Sequence, residues 1–149
     1  LVGVNKEGTS AAAFRGAAYV SAGKTGTAQV VGIKQNEKYN ASQLAEHLLD
    51  HALYIAYAPA ENPQVAVALV VENAGFGAQS AAPIARRVFD YVLLGQVPSE
   101  DDLAAVSVGK ATAPIGRPRD AADWPLPGQP PPQAAARPAP PANRLASAR

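Results

Sequence analysis

Two stretches of the chain are apolar at nearly every position. Ala52 to Ala58 reads Ala-Leu-Tyr-Ile-Ala-Tyr-Ala, and Val65 to Val71 reads Val-Ala-Val-Ala-Leu-Val-Val before Glu72. Neither shows the apolar–polar alternation of a half-exposed strand, so both are predicted as strands covered on two faces. Pro59-Ala60-Glu61-Asn62-Pro63 between them is turn chemistry. So short a link predicts an antiparallel hairpin, because parallel pairing needs a crossover of about a dozen residues or more. A further strand is predicted over residues 22–33, where Thr25, Thr27, Val30, Val31 and Ile33 are β-branched. Gly32 and the polar run 34–38 end it. Residues 34–51 form a long connection in which Ser42 to Leu49 has the composition of one or two helical turns.

Asn73-Ala74-Gly75-Phe76-Gly77 is a glycine-bearing turn, and Ser80 to Leu94 predicts a helix. Ser80 suits an N-cap, and Pro83 then falls in the first turn. Ile84, Val88, Tyr91 and Val92 share one face at helical spacing, which leaves Arg86, Arg87 and Asp90 on a solvated side. Gly95 ends this helix. Near the start, Leu1 to Gly8 suits the end of a helix, and Thr9-Ser10 a cap or turn into Ala11 to Phe14. The implied fold is α+β: an antiparallel sheet, three of its strands in this chain, sandwiched between helices. One helix covers one face of the sheet, and the other face calls for elements not found in these residues.

From Val97 onward proline and alanine dominate, with too little apolar content for a core. The chain therefore divides into a folded part, 1–96, and a tail, 97–149, expected to be disordered or partly polyproline II, with Trp124 in a solvated linker. The folded part can bury only a modest core. The net charge of +1 points to no nucleic-acid or membrane-surface partner. The lack of cysteine excludes disulfides and thiolate metal sites. There is no methionine and the first residue is Leu1, so the sequence is expected to be the C-terminal piece of a longer chain. No apolar run approaches the ~20 residues of a membrane span.

The chemistry concentrates in Gly23-Lys24-Thr25-Gly26-Thr27-Ala28-Gln29. One lysine among two hydroxyls and two glycines is an anion-binding arrangement. Residues 18–25 also fit a relaxed phosphate-loop pattern, but that mechanism needs a strand before the loop and a helix after it. Here the strand follows Lys24, and no apolar strand precedes Ala18. Lys-Thr-Gly is also the third motif of penicillin-binding proteins and serine β-lactamases. In order along the chain come Lys-Thr-Gly-Thr-Ala-Gln opening a strand, Tyr39-Asn40, Asp50-His51, Ala56-Tyr57-Ala58-Pro59, Glu72-Asn73, and a helix from Ala82-Pro83 to Leu94-Gly95. Over residues 1 to about 95 this resembles the C-terminal end of a class B penicillin-binding protein transpeptidase domain, of the cell-elongation group.

The resemblance implies a β-lactamase/transpeptidase-like fold and a serine-type D,D-transpeptidase that cross-links peptidoglycan stem peptides ending in D-Ala-D-Ala and binds β-lactams. It implies that Lys24 supplies fixed positive charge and that Thr25 and Thr27 offer hydroxyls to the substrate carboxylate. Gly26 admits the substrate to the strand, and the backbone N–H of Thr27 is an oxyanion donor. It also implies partners in the cell-elongation machinery, a place on the periplasmic face of the bacterial inner membrane behind an N-terminal anchor, and no cofactor.

Two departures qualify this. No Ser-x-Asn occurs, and Ser-x-x-Lys occurs only as Ser21–Lys24 and Ser107–Lys110. The first overlaps the strand, where positions three apart face opposite sides; the second lies in the tail. The nucleophile is therefore expected outside these residues, and the chain alone is expected to be inert and poorly stable. A non-catalytic penicillin-sensing module of the same fold is the alternative. His47 and His51, four apart, and the Asp50 carboxylate have metal-ligand chemistry, but no further close ligand is evident. Asp50 and His51 are expected to hydrogen-bond at the junction into the strand.

Overall fold

The computed structural model describes residues 1–30, 48–110 and 112–123. In chain order these form α1 (Val2–Lys6), α2 (Ala11–Phe14), β1 (Ala22–Ala28), β2 (His51–Ala58), β3 (Val65–Val71), α3 (Gly77–Leu94), β4 (Gln96–Val97), α4 (Glu100–Ser107) and β5 (Arg119–Asp120), with a 3-10 turn over Ala121–Asp123. β1, β2 and β3 make one antiparallel sheet in that order. Lys24 lies opposite Ile55 and Thr25 opposite Tyr54; Tyr54 in turn lies opposite Leu69. Among the described residues β1 is therefore an edge strand. The antiparallel hairpin and the α+β class are as the sequence implies. The predicted strand over 22–33 ends at Ala28, and residues 31–33 lie outside the described residues.

α3 covers one face of the sheet. Ala81, Ala82, Ala85 and Phe89 are buried and cluster with Ala52, Tyr54, Ala56 and Ala58 of β2. Alanine on both sides lets the helix approach closely. Phe89 then fills the remaining space, with its ring 6.3 Å from Phe14 and 6.1 Å from Tyr19. The helix begins hard against the sheet. A Cβ on Gly77 would come within 2.2 Å of the Leu53 carbonyl oxygen and 2.9 Å of that of Gly26, so no side chain fits there.

This packing corrects the sequence-based helix in three ways. α3 starts at Gly77, behind an extended Phe76, so Ser80 is not its N-cap; the Ser80 hydroxyl instead donates to the Ala74 carbonyl at 2.7 Å. Pro83 consequently lies in the second turn and is buried. The buried face is the alanine stripe, while Ile84, Tyr91 and Val92 are exposed. Periodicity favours the bulkier stripe, but an alanine-rich sheet surface accepts only small side chains. Nor is Arg86 solvated. It is buried, its Nε donates to both oxygens of Asp90 at 2.9 Å, and its Nη1 donates to the carbonyls of Ala13 and Arg15.

The opposite face of the sheet carries Leu53, Ile55 and Tyr57 from β2 and Ala66, Ala68 and Val70 from β3. Ile55 is 58% and Val70 65% exposed, so no described element covers this face.

The expected disorder from residue 97 does not hold for the described part of the tail. Gly95 ends α3 in the left-handed region with φ 63°. β4 then pairs with β5, and the Ala121 N–H donates to the Gly95 carbonyl at 2.7 Å. Ser99 caps α4 by accepting from the Asp102 N–H at 3.1 Å, and Glu100, Asp101 and Asp102 occupy its first turn, where the helix dipole favours negative charge. Arg87 grips the buried Asp102 with two hydrogen bonds, 3.0 Å from Nε and 2.6 Å from Nη2. Polar pairing, not apolar content, holds this appendage. Trp124 and everything after it lie outside the described residues.

Candidate functional site

Among the described residues β1 is paired with β2 on one side and has no strand on the other. The Gly23 N–H does not pair with β2; it donates to the Leu1 carbonyl at 3.2 Å. Backbone groups of a strand alternate sides with a period of two. The N–H groups of Thr25 and Thr27 therefore point the same way, toward the open edge. Leu1 occupies that edge only at its upstream end.

Side chains alternate between the faces as well. Lys24 is exposed, and its ammonium donates to the Thr25 carbonyl at 2.7 Å, so the charge rests against the open edge. Thr25 lies on the opposite face, half-buried, its hydroxyl 3.4 Å from that of Thr9. Gly26 packs over Leu53, where a Cβ would meet the Leu53 Cβ at 3.2 Å. Thr27 is exposed. Thr9, Lys24 to Thr27, Phe76 and Gln79 line an open cleft of about 510 Å³. Among the described residues Lys24 is the one charged member of that lining, and the N-terminus of α3 adds positive potential from the Thr25 and Thr27 face of β1. Chemically, the cleft suits an extended chain pairing along β1 with an anionic group near Lys24.

The four residues singled out in the sequence, Lys24, Thr25, Gly26 and Thr27, thus lie together on one strand edge. Ser21 and Lys24 are not a pair, because Ser21 is buried against Asn5 while Lys24 is exposed. Ser107 ends α4 and donates to the Ala104 carbonyl at 2.8 Å. Asp50 accepts from the Val30 N–H at 3.2 Å, and His51 Nδ1 accepts from the Asn73 N–H at 3.0 Å. Both therefore brace the entry to β2, as expected. His47 lies outside the described residues, and no group of three potential metal ligands occurs among the described ones. Sequence reasoning missed Thr9, Phe76 and Gln79 of the lining and Asn5 beneath the strand. None belongs to a motif, and their only shared signal is spatial.

Residues 1–90 match the model of the penicillin-binding protein transpeptidase domain. The chain belongs to that family. It is 52% identical over 91 residues to the peptidoglycan D,D-transpeptidase MrdA of Haemophilus influenzae, covering 61% of this chain and 14% of that protein. The MrdA of Escherichia coli is 45% identical over 106 residues, covering 71% of this chain and 16% of the relative. Among solved structures, Pseudomonas aeruginosa PBP2 in complex with WCK 5153 aligns with a TM-score of 0.48 and 41% identity, over 62% of this chain and 17% of that one. The chain thus spans about a sixth or less of the length of these relatives. No helix among the described residues is long and apolar enough to cross a membrane.

Proposed function

We propose that these residues supply the Lys-Thr-Gly strand of a peptidoglycan D,D-transpeptidase whose nucleophilic serine lies outside them. The observation that carries this is the open edge of β1, with the Lys24 charge and the Thr25 and Thr27 N–H groups facing one cleft in a chain of the transpeptidase family. A stem peptide ending in D-Ala-D-Ala would add along this edge as an antiparallel strand. Thr25 and Thr27 hydroxyls would hold its terminal carboxylate, with the Lys24 ammonium providing charge nearby. Serine Oγ would attack the penultimate carbonyl, and the Thr27 N–H would donate to the oxygen as it becomes negative. Loss of one such donor costs about 3 kcal/mol of transition-state stabilisation. The C–N bond to the last D-Ala would then break, leaving an acyl-enzyme for transfer to the amine of a second stem peptide. β-Lactams would acylate the same serine. The expected setting is the periplasmic face of the inner membrane, with cell-elongation proteins as partners.

Labelling with a fluorescent penicillin tests this. The protein containing the whole transpeptidase domain should be labelled, and the 149-residue chain alone should not. Lys24→Ala in the longer protein should lower the labelling rate by about a hundredfold or more. Undiminished labelling of that variant would remove Lys24 from the mechanism, and labelling of the short chain would place a nucleophile within it. Cross-linking of a D-Ala-D-Ala substrate, as opposed to acylation that stops there, separates the enzyme from a penicillin sensor.

A further inference from the structure

Beneath β1, on the face opposite the Lys24 side chain, runs a buried polar relay. Tyr54, the cross-strand partner of Thr25, does not point straight down. Its phenol passes under Gly23, where an added Cβ would lie 2.3 Å from the hydroxyl oxygen. The hydroxyl donates to Asn5 Oδ1 at 2.5 Å, and Asn5 Nδ2 donates to Ser21 Oγ at 2.8 Å. Tyr54, Asn5 and Ser21 are 1%, 6% and 4% exposed. Ser21 immediately precedes β1, so the relay joins the start of the strand to β2 through one amide on α1. Two more contacts come from the same N-terminal segment: the Leu1 carbonyl on the Gly23 N–H and the Thr9 hydroxyl beside that of Thr25.

An edge strand has partners on one side only, so its position across the sheet is weakly determined. A donor on β1 that must meet a developing oxyanion needs that position held to a fraction of an ångström, since a misplacement of about 1 Å can cost about a hundredfold in rate. Hydrophobic packing under Gly23 cannot supply this, because there is no side chain at that position to pack. The relay supplies it directionally. Asn5 is the residue that both accepts and donates, and a nonpolar side chain there would strand two buried hydroxyls at once.

We propose that Asn5, acting through Tyr54 and Ser21, is a positioning residue that holds the Lys24–Thr27 edge in its reactive place. This rests on the transpeptidase function proposed above. Asn5 does not touch substrate; it acts through the strand.

The test uses the protein with the complete transpeptidase domain and penicillin as the probe. Rapid-mixing kinetics separate the dissociation constant of the non-covalent complex from the acylation rate constant. Tyr54→Phe and Ser21→Ala each remove one hydroxyl and leave packing nearly intact. Each should lower the acylation rate constant about tenfold while the dissociation constant changes less than about twofold. Because both break the same relay, the double variant should be little slower than either single one. Tyr19→Phe is the control. It removes the phenol that donates to Asp90 at 2.8 Å, beneath α3 and outside the Tyr54–Asn5–Ser21 relay, so it should acylate at the wild-type rate. Wild-type acylation rates in Tyr54→Phe and Ser21→Ala would overturn the proposal and leave the proposed function standing. So would a rate loss in Tyr19→Phe equal to theirs, since the effect would then be general loosening. Failure of the wild-type protein to acylate at all would overturn both.

Discussion

The body of the molecule up to Leu94 and the appendage from Gly95 to Asp123 meet at α3 but are held together by different forces. The body is held by alanines and aromatic rings buried between α3 and the sheet. The appendage is held by one bidentate ion pair, a capped short helix and a two-residue strand pair. Apolar burial is non-directional and spread over many residues, so the body loses stability gradually and as a whole. The appendage depends on a few groups that must meet in one geometry. The two regions should therefore fail separately.

Phe89→Ala gives the largest expected effect. Phe89 is fully buried and joins Phe14 and Tyr19 beneath α3. Its loss should cost about 3–5 kcal/mol, read as a lower midpoint in urea denaturation, and should loosen β1 together with the rest of the sheet. A midpoint shift confined to the appendage would contradict the division.

Arg87→Met should act on the appendage alone. It leaves the Asp102 carboxylate, 1% exposed, without its cation. Breaking a buried pair from one side costs about 3–5 kcal/mol when the stranded charge must stay buried. Here it need not, because α4 can leave α3 and return Asp102 to water. The observable loss is capped at whatever free energy docks the appendage. The expected result is rapid proteolysis between residues 95 and 110, with the denaturation midpoint of the body nearly unchanged.

The phenols beneath α3 and β1 give a pH test that belongs to the body. Tyr19 is pushed up by burial first, and by the charge and hydrogen bond of Asp90, against an opposing effect of Arg86. Tyr54 is pushed up by burial, with its polar neighbours Ser10 and Asn5 opposing the rise. A raised folded value means that the unfolded chain gives up the proton first. The folded state then binds more protons, and stability falls as pH rises. The contribution should be intact below the ordinary phenol value of about 10 and be lost progressively above it. Tyr19→Phe should flatten that alkaline decline, as followed by thermal melts across pH. An unchanged slope would mean that Tyr19 is not among the titrating groups.

The same contrast explains what could be read from the sequence. β2 and β3 were legible as apolar runs, and Lys24 to Thr27 as a motif, because each is a local pattern. The buried face of α3 was not: periodicity marks Ile84, Val88, Tyr91 and Val92, and only the alanine surface of β2 decides that Ala81, Ala82 and Ala85 go inside. The appendage was hidden because its composition signals disorder, whereas Arg87 and Asp102 lie 15 positions apart and reveal nothing until they meet. Asn5 and Tyr54 are 49 positions apart. The letters of the site were visible, but the open edge that gives them meaning depends on which strand pairs with which.

The smallest expected effect concerns the uncovered face of the sheet. Ile55→Ala removes a side chain that is 58% exposed, so in the 149-residue chain it should change stability by no more than about 0.5 kcal/mol. The same substitution in the protein with the whole transpeptidase domain should cost about 2–5 kcal/mol if that face is buried there. Ile55 lies on the strand next to β1, directly opposite Lys24, so the longer protein should also label more slowly with penicillin. Equal and small effects in both proteins would mean that the apolar face stays open, and that β1 is braced from one side only.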